Sequence, residues 1–169
     1  MDFITALGKL LSSSRLRELY KSDTESLANK FNINEAERSS FINLDITKIE
    51  AQAKTLLSKR FHEVVKILPG TTALLGELAH QQFINYSESF WPEGVDRHLL
   101  DATSFIQYLK RNHICFCKAE YNKVKFNLKR KKLSIHYLSS VEINGRARKA
   151  IQVIYQKSRS LNELYFFLG

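Results

Sequence analysis

Cysteine, proline and glycine are scarce in this chain of 169 residues, which holds two, two and six of them. Cys115 and Cys117 are one residue apart in a stretch that reads as a strand, so their side chains point to opposite faces and cannot easily bridge. A disulfide framework is not expected, and a reducing cytoplasm is the simplest setting. With few glycines and prolines and no low-complexity stretch, long disordered linkers are not expected either. Nowhere do 18 apolar residues run together, and the start MDFITALGKLLSSSRLRELY lacks a basic stretch leading into a long apolar run. The expectation is a soluble, unexported protein with no membrane partner.

Chemistry-bearing patterns are missing too. His62, His80, His98, His113 and His136 stand singly, with no His-x-x-x-His or Cys-x-x-Cys spacing to present two ligands on one face. No metal ligand set is therefore assigned. No Ser/His/Asp ordering, Gly-rich phosphate loop or kinase-like signature occurs, so no catalytic residue is assigned and an independent enzyme is not expected.

Acidic residues are scarce in one region only. Residues 1–112 carry 14 Lys and Arg against 14 Asp and Glu, whereas residues 113–169 carry 12 against 3, which places the whole formal charge of +9 in the last third. A field of this kind governs partners and encounter rates more than bond chemistry. At this length a true core is accessible, with roughly 70% of the unfolded surface buried on folding.

Phe3, Leu7, Leu10 and Leu11 recur at helical spacing, and Leu16, Leu19 and Tyr20 repeat it after a serine break at 12–14. Asp23 is placed to cap a third helix holding Leu27 and Phe31, and Asn34 with Glu37 has capping-box spacing ahead of Phe41 and Ile42. Asp45 caps a longer stripe through Ile46, Ile49, Ala53, Leu56, Leu57, Val64 and Leu68, which Pro69-Gly70 stops. Thr71 opens a helix with Leu74, Leu75, Leu78 and Tyr86 inward. After the aromatic loop Phe90-Trp91-Pro92-Glu93-Gly94, Asp96 begins a last helix that fades at Lys110-Arg111-Asn112.

Beyond His113 the period falls to two. Val124, Phe126 and Leu128 alternate with Lys123, Lys125 and Asn127, which predicts a strand with one buried and one wet face. Lys129 to Lys132 form a charged turn, Leu133, Ile135 and Tyr137 resume the alternation, and Asn144-Gly145 is a hairpin dipeptide leading to Ile151, Val153 and Tyr155. A final strand covers Leu164 to Leu168. The expected fold is α+β: a helical partner-docking domain over 1–112, then a basic antiparallel sheet of about four strands over 113–169.

The basic strands admit three uses. Lys123, Lys125, Lys129, Arg130, Lys131, Lys132, Arg146, Arg148 and Lys149, flanked by Tyr121, Tyr137 and Tyr155, could contact nucleic acid phosphates, as in a transcription-associated protein, although no recognition motif accompanies them. They could form a solvated face whose lysines guard edge strands. Or they could meet an acidic peptide added at an open edge. Trp91 and Phe90 could anchor a partner or fill a gap within the chain. Arg97 and His98 open the last helix beside that loop, and His98 reads as a surface or interface contact. A redox use of Cys117 would need a lowered thiol pKa.

Phe3, Ala6 and Leu7 near the start, Asn34-Glu35-Ala36-Glu37-Arg38, Lys59-Arg60 followed by Leu68-Pro69, and Trp91-Pro92-Glu93-Gly94 before Arg97-His98-Leu99-Leu100-Asp101-Ala102 together resemble the MbnC family, the accessory subunits of methanobactin biosynthesis. These are similar to other small partners of multinuclear non-haem iron oxidases. The resemblance covers the helical two thirds; the basic sheet matches in character only. It implies a heteromeric complex with an MbnB-like iron oxidase, iron held by that subunit and no cofactor in this chain. It also implies that an MbnA-like precursor peptide is held here while its cysteines become oxazolone and thioamide groups. The expected peptide-binding residues are Lys123, Lys125, Arg146, Arg148 and Tyr155, and the expected partner interface is Trp91, Pro92, Arg97 and His98.

Overall fold

The computed structural model describes residues 1–143, 146–158 and 160–168; the Asn144-Gly145 dipeptide lies outside the described residues. Among them are nine helices and three strands, grouped in two compact units. Met1–Phe61 with Ile84–Trp91 form the first, and His62–Phe83 with Pro92–Gly169 form the second. No helix of the described residues is long and apolar enough to cross a membrane.

In the first unit, α1 (Phe3–Ser12), α2 (Ser14–Ser22), α3 (Thr24–Phe31) and α4 (Glu35–Ile42) are followed by α5 (Ile46–Ile67), which belongs to this unit up to Phe61. The serine break holds: Ser13 ends α1 and caps α2 by accepting the Leu16 N–H. Asp2, Asp23 and Asp45 cap in the same way, accepting from Thr5, Ser26 and Thr47. The expected box at α4 does not form. Asn34 makes no side-chain cap, and Glu37 instead accepts the Phe3 N–H at 3.1 Å, tying α4 to the open first turn of α1. Helices this short are marginal alone, so Phe41 carries much of the burden: it is fully buried with Tyr20 and Phe31 edge-on at 5.5 and 6.1 Å. The Tyr20 hydroxyl donates toward the carbonyls of Phe41, Ile42 and Leu44 at the end of α4.

In the second unit, the helix expected from Thr71 is two, α6 (Pro69–Leu75) and α7 (Leu78–Ser87, here to Phe83), broken at Gly76, whose φ of +55° suits glycine. Pro69 occupies the first turn of α6, where its missing N–H costs nothing. The next two N–H groups, of Gly70 and Thr71, donate to the Glu120 carboxylate at 2.6 and 2.8 Å, and the Thr71 hydroxyl donates to it at 2.7 Å. α8 (Arg97–Arg111) buries Ala102, Phe105, Ile106 and Leu109, with Phe83 edge-on to Phe105.

Residues 123–128, expected as a strand, lie instead in α9 (Lys118–Leu128), and the sheet has three strands: β1 (Leu133–Ile143), β2 (Arg146–Lys157) and β3 (Ser160–Leu168), an antiparallel meander in the order β1-β2-β3. The reason is double-sided burial. α9 packs against α8 as well as β1 and β2, so Asn122 and Phe126 are buried on one face while Val124 is buried on the opposite one. Buried residues two apart on a helix sandwiched between layers imitate the period of a strand. Cys115 and Cys117 accordingly lie in the connection before α9, not in a strand.

One buried network fixes α9 on the sheet. Gln152 in the centre of β2 is fully buried; its amide donates to the Ala119 carbonyl at 2.9 Å and to Glu163 of β3 at 2.6 Å, and its oxygen accepts from Asn122 at 2.9 Å. Every polar atom of that amide is engaged, as a buried amide requires. Gln152→Ala leaves Asn122 and Glu163 short of partners and should cost about 3 kcal/mol, whereas exposed Gln156→Ala on the same strand should cost close to nothing. Denaturant unfolding of both variants checks this.

Candidate functional site

The inner face of the sheet, toward α9, follows from the register. Ser134, Ile154 and Glu163 form one cross-strand row, His136, Gln152 and Tyr165 the next, and Leu138, Ala150 and Phe167 the third. The outer face is the other parity: Leu133 beside Tyr155, then Ile135, Val153 and Leu164, then Tyr137, Ile151 and Phe166. Sequence alternation groups Leu133, Ile135 and Tyr137, and likewise Ile151, Val153 and Tyr155, on one face of their strands, and apolarity alone would bury that face. The structure reverses it: Leu133, Ile135, Tyr137, Leu164 and Phe166 are exposed, because α9 and the Gln152 network occupy the opposite face.

The candidate cations do not form one site. Lys123 lies on α9, and its ammonium is 3.1 Å from Glu163 in an ion pair. Lys125, also on α9, lies over the Tyr121 ring and joins Lys129 and Lys131 around a small space of about 90 Å³ beside β1. Asn122, Phe126, Ser134 and His136 complete its lining. Arg146 and Arg148 are exposed at the start of β2, opposite Ile143 and Val141. Ser134 pairs with Ile154 and Val141 with Arg148, six residues apart along β2 and about 20 Å of extended strand, so the two cationic groups stand near the two ends of β1. A register shift between Leu138 and Val141 interrupts the ladder between them. Tyr155 belongs to the outer face and is half-buried.

Of the expected interface residues, Trp91 belongs to the first unit, where the Arg60 guanidinium sits 4.5 Å from its ring centroid and donates to the Phe90 carbonyl at 3.0 Å. The ring is thus engaged within the chain. Pro92 is buried; Arg97 is exposed and its Nε lies 3.5 Å from His98 Nε2 at the start of α8.

Electrostatics follow the same division. Burial dominates His136 and, with the positive charges of Lys131, Lys125 and Lys118, holds its pKa below the ordinary 6.5. Its Nε2 is 2.6 Å from the Ser134 hydroxyl. Burial alone would raise the Glu163 carboxyl, but hydrogen bonds from Tyr165, Gln152 and Lys123 outweigh it and hold the group below its ordinary 4.5. Tyr165 is pushed well above the usual phenol range, by burial first and then by its bond to Glu163. Cys117 is also raised, chiefly by burial, the opposite of what a reactive thiol needs. Among the described residues, no group of three or more His, Cys, Asp and Glu side chains could hold a metal ion.

Sequence reasoning missed Gln152, Asn122 and Glu163. The only signal was a lone amide between Ile151 and Val153 in an otherwise apolar run.

Two pH experiments follow. Removing a nearby cation in Lys131→Ala should raise the His136 pKa toward its ordinary value, read from its imidazole resonances by NMR titration; an unmoved value contradicts the geometry. A carboxyl whose folded pKa is lowered stabilises above its unfolded value and loses that contribution as the pH falls through the folded one. Glu163→Gln should therefore be less stable than the wild type at neutral pH, with the gap closing below about pH 4.5, as followed by thermal melts across that range.

No protein-family model, no curated protein and no solved structure matches the chain.

Proposed function

We propose that the chain is a non-catalytic accessory subunit that complexes with an MbnB-like iron oxidase and holds an MbnA-like precursor peptide while the oxidase converts its cysteines to oxazolone and thioamide groups. The observation that carries this reading is the edge strand β1, which pairs on one side only and has cations near both ends. An extended peptide adds to such an edge through main-chain hydrogen bonds. Carboxylates about six residues apart would then meet Lys125, Lys129 and Lys131 at one end and Arg146 and Arg148 at the other. β3, the other edge, presents no comparable group: its Glu163 already holds Lys123. Iron and oxygen chemistry belong to the partner in this reading; this chain binds and orients. Arg97 and His98, at the start of α8, are the candidates for contact with the oxidase.

The test is co-purification of the chain with an MbnB-like oxidase, followed by fluorescence anisotropy with a labelled MbnA-like peptide. Lys125→Glu with Lys131→Glu should weaken peptide binding about tenfold or more, and Lys157→Glu on the outer face should leave it unchanged. A chain that ignores both oxidase and peptide contradicts the proposal. Affinity for duplex DNA or RNA that falls by about one unit of log-log slope per phosphate contacted would support a nucleic-acid-binding protein instead.

A further inference from the structure

The outer face of the sheet is more apolar than the inner one. Leu133, Ile135, Tyr137, Leu164, Phe166 and Leu168 each expose between 40% and 62% of their surface, while Ile151, Val153 and Tyr155 fill the middle strand between them. At roughly 150–250 Å² for an aromatic side chain, with Leu and Ile toward the lower end of that range, the six alone present on the order of 600 Å². That reaches the upper end of the largest apolar patch on a typical monomer, about 300–600 Å². Water against such a face forfeits stabilisation of about 25 cal/mol for each Å² left uncovered.

We infer that this face is the contact between two copies of the chain, packed sheet against sheet. Three observations select a second copy. The first is area: about 600 Å² from each copy gives about 1,200 Å² in total, the lower limit for a stable specific interface. The second is composition: the rows Ile135-Val153-Leu164 and Tyr137-Ile151-Phe166 carry no charged side chain and a single side-chain polar atom, the Tyr137 hydroxyl, with Asn162 beside Tyr155 in the next row, the character of a core cut in half. Two antiparallel sheets whose apolar faces meet about 10 Å apart form a sandwich, the ordinary way to cover such a surface.

The third is charge. Strand parity puts Arg146 and Arg148 on the inner side with Ala150 and Gln152, and Lys123 and Lys125 lie on α9. Among the described residues, the outer face keeps only Lys149 and Lys157 toward its two ends, with Glu142 beyond Lys149. An acidic partner or an anionic bilayer would find the cations on the wrong side of the sheet. Like charge still opposes pairing, since each copy carries a formal +9. Salt screens that repulsion, so the dimer should tighten as ionic strength rises. Face packing leaves both sheet edges free, so the inference goes beyond peptide capture and does not depend on it.

Sedimentation equilibrium of the full chain, from about 1 to 200 µM at about 50 and 500 mM salt, tests this, with concentrations chosen to bracket the micromolar affinity expected of an interface this size. The expected result is a reversible monomer–dimer equilibrium shifted toward dimer at the higher salt. Ile135→Glu with Phe166→Glu should weaken it about tenfold or more, as should Tyr137→Lys, both with unchanged circular dichroism, while Lys125→Glu should not weaken it. A monomer at every concentration, or a dimer indifferent to both face variants, overturns the inference. So does binding to vesicles of 70% phosphatidylcholine and 30% phosphatidylserine that the face variants abolish while sedimentation shows only monomer; that outcome assigns the face to lipid.

Discussion

The second unit depends on the amide of Gln152. In a strand the side-chain period is two, so a shift of one residue exchanges the faces, and hydrophobicity alone would turn Ile151 and Val153 inward. What prevents this is a fully buried amide whose donors and acceptor are all taken, by the Ala119 carbonyl, Glu163 and Asn122. Turning that strand over would put a satisfied amide into water, remove the acceptor of Asn122 and take from Glu163 one of its three donors, a loss of several hydrogen bonds in a low-dielectric site.

Three features follow from that one contact. α9 is held on the inner face, where Ser134 and His136 share a small space with Asn122, Lys125 and Phe126. The apolar rows of Ile135, Val153 and Leu164 and of Tyr137, Ile151 and Phe166 are left on the outside. The basic side chains are shared between α9, the turn after it and the start of β2, so the charge that dominates the last third frames β1 and leaves the outer face nearly neutral. Peptide capture at an edge and self-association through a face therefore use different surfaces of the same three strands.

The helical part was largely legible. Aspartate caps act locally, through a side chain and an N–H two or three residues away, so Asp23 and Asp45 could be placed from spacing alone, while the serine break at 12–14 was legible as a break and Ser13 as its cap was not. Glu37 could not, because its partner, the Phe3 N–H, is 34 residues away. The segment 123–128 was misread for a related reason: burial of Asn122, Val124 and Phe126 on two sides of a helix reproduces the alternation of a strand, and only the layers on either side distinguish them. Alternation also located β1 and β2 and grouped the residues of each face, but apolarity alone would turn the other face inward, since it cannot register a polar network assembled from α9, β2 and β3. Of the expected peptide-binding residues, Lys125 joins a cationic cluster, while Lys123 is engaged by Glu163 and Tyr155 belongs to the outer face.

The central claim is the orientation of the sheet, and solvent paramagnetic relaxation of methyl groups measures it directly. In the Phe166→Glu chain, where face-to-face association is suppressed, a soluble paramagnetic probe should strongly broaden the methyls of Ile135 and Leu164 and spare those of Leu138 and Ile154, which are almost wholly buried. Broadening of Leu138 and Ile154 with Ile135 and Leu164 protected would mean that the apolar rows face α9, and would contradict the account.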